Sequence, residues 1–183
     1  IVDRGQVLAQ GRVADIERRL RVGAVFRARI LGDQDGIDAA RAWFEAQPDV
    51  VILATGSLPL IPKIPGIKGK NVVTAWDVLK GKKVGKEVVV AGGGLVGVET
   101  ALFLSKAAKK VTLVEMLEEI AQDAGPLNRA RLKEELKETE IEVKCKTKVM
   151  KINPKTITVR GEPGEYEIPA GTVVLALGAI SQN

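Results

Sequence analysis

The stretch that most constrains this chain is Val88–Val98, which reads VVVAGGGLVGV. An apolar run enters Gly92-Gly93-Gly94-Leu95-Val96-Gly97 and leaves into a sequence with helical composition. This is the spacing G-x-G-x-x-G, set after an expected strand and before an expected helix. In such a turn Gly92 permits the sharp exit from the strand. Gly94 lets the backbone approach a pyrophosphate, and Gly97 lets the helix pack closely on the strand. Amide groups at the helix start, near Leu95 and Val96, then face an anion. The plain alternative is a glycine-rich turn with no ligand.

The flanking elements agree with a dinucleotide fold. Glu87–Ala91 is the expected feeding strand, Leu95–Ala107 the helix, and Val111–Glu115 the next buried parallel strand. The βαβ unit has the usual size of about 30 residues. Val96, Thr100, Phe103 and Leu104 are the expected packing residues of the helix. Glu115 ends the second strand, about 20 residues beyond the glycines, where an acid reaches ribose hydroxyls. A surface carboxylate at a strand end is the alternative. Met116 and Leu117 follow, with no Arg or Lys to meet a 2′-phosphate, so NAD(H) is expected over NADP(H).

Composition narrows the function further. There is no histidine and only one cysteine, Cys145, so a zinc site, a Cys/His nucleophile pair and a CxxC dithiol are all excluded. No residue reads as a general acid, base or nucleophile, so no catalytic and no metal-ligating residue is expected. Cys145 lies between Lys144 and Lys146, whose charge would lower its pKa; an inert strand cysteine is the alternative. The net charge of +5 is spread over scattered lysines, and only 3% of residues are aromatic, which argues against a nucleic-acid surface. No apolar run approaches the roughly 20 residues that span a bilayer. A cytoplasmic setting without membrane contact is expected.

The whole chain reads as α/β, a Rossmann-like parallel sheet with a small antiparallel β-meander, preceded by part of a second α/β domain. Val13–Leu20 has thin helical spacing, and Val25–Ile30 alternates like a strand. Ile37–Ala46 is an expected helix with Ile37, Ala40, Trp43 and Phe44 on one face, ended by Pro48. Asp49–Leu53 is a buried parallel strand leading to Ala54-Thr55-Gly56. Ser57–Lys70 contains Pro59, Pro62 and Pro65 and reads as a linker. After it, Thr74 is a candidate N-cap for a short helix to Leu79, with Asp77 completing the cap. Pro126–Glu138 is a helix with Leu127, Leu132 and Leu136 as its apolar face. Ile141–Cys145 starts a short strand. Val149–Ile152, Thr156–Val159 and Tyr166–Ile168 form an expected β-meander with turns at Asn153-Pro154 and Gly161–Gly164. Thr172–Leu177 is a last buried run ending at Gly178-Ala179. Val51–Gly56 and Val173–Gly178 echo one another, each an apolar strand closing on Ala-x-Gly.

These residues carry a resemblance. VVILATGS, the proline-rich IPKIPGI, VVVAGGGLVGVETA, KKVTLVE and VVLALGA together resemble the pyridine-nucleotide-disulfide-reductase-type flavoproteins. More narrowly, they are similar to the C-terminal half of NADH:flavin oxidoreductases related to 2,4-dienoyl-CoA reductase, 2-enoate reductase and trimethylamine dehydrogenase. The resemblance covers about residues 48–180. It implies a parent with an FMN-bearing barrel, an iron–sulfur cluster, an FAD or ADP domain and an inserted NAD(P)H domain. On it, residues 1–60 are part of a flavin-type domain, 61–70 the linker and 71–183 the NAD(H) domain. It further implies cofactor-binding roles for Gly92, Gly93, Gly94, Leu95, Val96, Gly97, Glu115 and Met116. Glu99 corresponds to a helix-start Glu near the nicotinamide, though a dipole-favoured surface Glu is the bland reading. Thr55 and Gly56 match the exit from the flavin domain, and Gly178 matches the turn beside the nicotinamide. The family's FAD-binding glycine loop would precede Ile1, so the chain reads as a fragment, inactive when isolated. The expected function is to position NADH to reduce a flavin; a nucleotide-sensing or structural ADP-binding domain without hydride transfer is the alternative.

Overall fold

The computed structural model describes residues 2, 3, 6, 7, 38, 42, 45, 56–107 and 109–181. The chain forms two compact units, one of residues 1–58 and 180–183 and one of residues 59–179. In the first unit β1 (Val2–Asp3) pairs antiparallel with β2 (Gln6–Val7). Asp38, Ala42 and Glu45 are helical and exposed, on positions that the expected helix over 37–46 leaves outside its apolar face. The other readings for that region, a helix over 13–20 and strands over 25–30 and 49–53, lie outside the described residues.

The second unit is built on a five-stranded parallel sheet. Its strands are β4 (Val72–Thr74), β5 (Glu87–Ala91), β6 (Lys110–Val114), β7 (Glu142–Lys144) and β11 (Thr172–Leu175), in the order β4-β11-β5-β6-β7. Three helices accompany them: α1 (Ala75–Leu79), α2 (Leu95–Lys106) and α3 (Pro126–Lys137). A separate antiparallel sheet holds β8 (Lys148–Ile152), β9 (Thr156–Gly161) and β10 (Gly164–Pro169), in the order β10-β9-β8. Short strands β3 (Ser57–Pro59) and β12 (Ala179–Ser181) carry the chain across the unit boundaries and pair in a two-stranded sheet.

The continuous apolar runs follow from a sheet covered on both faces. Val88 and Val90 join Val111, Leu113 and Val174 in a core filled by Val98, Ala101, Leu104, Leu132 and Leu136 from the helices. Val89 and Ala91, which point the other way, join Val114, Val173 and Leu175 in a second core closed by Ile157, Val159 and Ile168 of the meander. Burying each of these valines contributes about 1.5–3 kcal/mol. The unit is thus three layers: helices, parallel sheet, meander.

Two helix faces differ from expectation. In α2, Val96 and Phe103 are 44% and 51% exposed, while Gly97, Val98, Ala101, Leu102 and Leu104 are buried. The helix is apolar nearly all round, so periodicity cannot choose a face. Gly97 chooses it: a Cβ there would stand 1.8 Å from the carbonyl oxygen of Gly92. Ala101 and Leu104 follow one and two turns later on the same side. In α3, Leu132 and Leu136 are buried one turn apart, whereas Leu127 is 87% exposed. Five positions along a helix turn a side chain well away from Leu132.

The proline-rich stretch is built into the second unit. Ile64 and Ile67 pack on the meander core. Pro65 O accepts from the Ile152 amide at 2.8 Å, and Gly66, with φ +85°, lies against that residue's backbone.

Candidate functional site

The sheet changes direction at β5. From there the chain goes to β6 and β7 on one side, while β11 and β4 lie on the other. In open parallel sheets ligands bind at such a switch, beyond the C-terminal strand ends. Three neighbouring strand ends meet here. β5 leads into Gly92–Gly97, β6 into Glu115, and β11 into Ala176–Gly178.

The glycine loop is closely packed. Gly92 has φ +103°, donates to Val114 O at 2.9 Å, and leaves no room for a side chain: a Cβ would be 2.3 Å from Ala176 O. Gly92, Gly93 and Gly97 are buried, Gly94 and Leu95 half-buried, and Val96 exposed. Gly94 is the N-cap of α2 and brings no side chain to its end. The first helical hydrogen bond runs from Val98 N–H to Gly94 O at 3.0 Å. The amides of Leu95, Val96 and Gly97 therefore precede the helix's own bonding, as at any helix start.

Glu115 is buried at 8% exposure, one residue past the end of β6. Its Oε2 accepts from Gly93 N–H at 2.5 Å and its Oε1 from Leu117 N–H at 2.8 Å. Two backbone donors hold the carboxylate beside the loop. A carboxylate has about four acceptor positions, so these two bonds leave capacity for hydroxyl donors. Met116 beside it is 64% exposed. Glu99 is exposed on α2. Gly178 has φ +100°, open space where a Cβ would be, and its carbonyl accepts from Leu60 N–H at 2.9 Å. Gly56, in the first unit, is exposed with φ +75°, so both Ala-x-Gly ends use left-handed glycines. Thr55 lies outside the described residues.

Asp123 is the residue that sequence reasoning missed. Its Oδ1 accepts from Leu95 N–H at 2.8 Å, and its carboxylate faces Gly94. It belongs to the segment Met116–Gly125, which has no periodicity to read. The segment is nonetheless well fixed. Ile120 and Ala121 are buried, Ala121 N–H donates to Gly93 O at 2.7 Å, and Leu117 O accepts from Lys146 N–H at 2.8 Å. Glu119 pairs with Arg129 and Lys133. Glu118 pairs with Lys146, whose ammonium holds the Glu118 carboxyl below its ordinary range.

Cys145 is half-buried, and burial pushes its thiol up, with Glu115 adding to the rise and Lys133 opposing it. The lysine-activated thiol is therefore corrected: Lys144 and Lys146 are engaged with Glu142 and Glu118. Among the described residues no group of acids and cysteine could hold a metal ion, and no helix is long and apolar enough to cross a membrane.

A family model described as pyridine nucleotide-disulphide oxidoreductase matches residues 9–183. A NADH oxidase of Thermoanaerobacter brockii is 41% identical over 164 residues, covering 86% of this chain and 24% of that protein. The solved structure of a 2-naphthoyl-CoA reductase complex matches with TM-score 0.69 and 27% identity, over 88% of this chain and 24% of that one. A NAD-dependent persulfide reductase from A. fulgidus matches with TM-score 0.55 and 28% identity, over 68% of this chain and 25% of that one. The chain spans about a quarter of the length of these relatives.

Proposed function

The chain belongs to the pyridine nucleotide-disulphide oxidoreductase family, and on that premise we propose that its second unit binds NAD(H) within a larger flavin-dependent oxidoreductase. The observation that carries this reading is the meeting of the α2 N-terminus, whose N-cap Gly94 brings no side chain of its own, with the buried Glu115 carboxylate at the sheet's switch point. The residues present suit a dinucleotide. Gly92 and Gly97 close the turn without side chains, and the amides of Leu95, Val96 and Gly97 would take the pyrophosphate. The remaining acceptor positions of Glu115 would take the adenosine ribose hydroxyls.

When bound, the nicotinamide would supply a hydride and the parent's flavin, FAD by family, would accept it. The chain's own part is binding and orientation. Gly178 and Glu99 are proposed beside the nicotinamide, with Thr55 and Gly56 toward the flavin. Met116 would lie against the adenosine half. The relatives' names, a NADH oxidase and a NAD-dependent reductase, favour hydride delivery over a purely structural ADP site. The finer placement, among NADH:flavin oxidoreductases related to 2,4-dienoyl-CoA reductase, rests on the sequence resemblance and on the likeness to a CoA-ester reductase. In that placement an FMN-bearing barrel and an iron–sulfur cluster would lie in the remaining parent domains.

Calorimetry on the chain tests the binding half of the reading. NADH should bind more tightly than NADPH, because a buried carboxylate repels a 2′-phosphate and no basic residue follows it. The reverse order contradicts the reading. In the full-length protein, Glu99→Gln should slow flavin reduction by NADH while leaving binding nearly unchanged. Unaltered reduction would remove Glu99 from the nicotinamide end, whereas no flavin reduction by NADH in the unmutated full-length protein would favour a nucleotide site without a hydride role.

A further inference from the structure

We propose that Asp123 is a built-in competitor for the pyrophosphate. Its carboxylate caps the N-terminus of α2, and a dinucleotide must displace it to use the same amide. This rests on the reading of the glycine loop as a dinucleotide site and adds to it a residue that sets the affinity.

The geometry carries the inference. Gly94 supplies no cap of its own, so the end of α2 is open to an anion from elsewhere. Asp123 Oδ1 takes the Leu95 amide at 2.8 Å. A Cβ on Gly94 would stand 3.1 Å and 3.3 Å from the two Asp123 carboxylate oxygens. The carboxylate thus covers the face of the loop from which Gly94 would let a phosphate approach. A phosphate and a carboxylate seek the same feature, amide donors backed by a helix dipole, and they repel one another. Both cannot hold the Leu95 amide in this geometry.

The segment decides how the exchange is made. Ile120, Ala121 and the Ala121-to-Gly93 hydrogen bond fix its middle, and Glu119 is tied to Arg129 and Lys133 on α3. Asp123 itself is exposed. Displacement therefore needs a side-chain rotation into solvent, not an opening of the loop. Once rotated away, Asp123 leaves a loop that is already shaped. An exposed carboxylate at a helix N-terminus has a modest effect, and an affinity change of about threefold is expected from its removal.

Isothermal titration of the full chain with NADH, ADP-ribose and adenosine tests this, using Asp123→Asn and Asp123→Ala. Asn retains an acceptor for the Leu95 amide but removes the charge, so it preserves the fold; thermal melting checks both variants. NADH and ADP-ribose should bind about threefold more tightly to each variant, adenosine should be unchanged, and the gain should shrink at high salt. Unchanged or weaker binding of NADH and ADP-ribose, or an equal gain for adenosine, overturns the inference while leaving the glycine-loop site intact. If neither NADH nor ADP-ribose binds the wild-type chain or the variants, the underlying site fails and this inference with it.

Discussion

Glu115 occupies two roles at one position. It is the acid proposed to meet the ribose, and it is the acceptor for Gly93 and Leu117 N–H groups. Glu115→Gln separates the roles poorly by design. The amide can offer its oxygen to one backbone donor and must turn its NH2 toward the other. A buried donor left without an acceptor costs about 1–3 kcal/mol. The variant should therefore lose stability of about that size in urea unfolding and bind NADH at least tenfold more weakly in calorimetry. Unchanged stability would mean that the two backbone bonds do not hold the carboxylate. The acid's position at the end of β6 is readable from the sequence because a buried run and a glycine loop frame it. Its hydrogen bond to Gly93 is not, since that contact depends on how two strand ends meet in space. The same holds for Asp123, separated from Leu95 by a helix, a strand and an aperiodic segment.

At the scale of elements, α1 follows its local signals closely. Thr74 Oγ1 accepts from Asp77 N–H at 3.1 Å, and Asp77 Oδ2 accepts from Thr74 N–H at 3.0 Å, a reciprocal cap. The backbone bond from Thr74, and then its hydroxyl, hold the Asp77 carboxyl below its ordinary range. A depressed folded-state pKa stabilises above the unfolded value, and that stabilisation is lost as pH falls through the folded one. Asp77→Ala should cost about 1 kcal/mol at pH 6, measured by urea unfolding, and the difference should narrow as the pH is lowered below about 4. Helix faces were less legible. The three glycines of the loop identify α2, but its stripe through Val96 and Phe103 is ambiguous until Gly97 is placed against Gly92. The proline-rich stretch hides its packing for another reason: prolines announce the absence of regular structure and say nothing of what Ile64 and Ile67 touch. Gly66→Ala tests that docking. A Cβ there would lie 1.8 Å from Ile152 O on a backbone with φ +85°, so a loss of about 3 kcal/mol is expected on thermal or urea unfolding. Little change would mean that the stretch is a free tether.

For the whole molecule, alternation within β5 sorts Val88 and Val90 to the helices and Val89 and Ala91 to the meander. The doubly covered sheet was legible from its unbroken apolar strands, and the meander from its alternation and turns. The division into compact units at Leu58/Pro59 and Ala179/Ile180 is a property of the returning chain. No local pattern announces that the last residues rejoin the first unit. The family match runs over residues 9–183, and the glycine loop with Glu115 is the proposed docking point for a dinucleotide. That claim is tested most directly by recording amide chemical shifts of the chain during titration with NADH. Saturable shifts centred on Gly92–Gly97 and on Glu115–Leu117 are expected, with smaller ones at Gly178. Saturable shifts confined to other parts of the chain, or none at millimolar NADH, would contradict it.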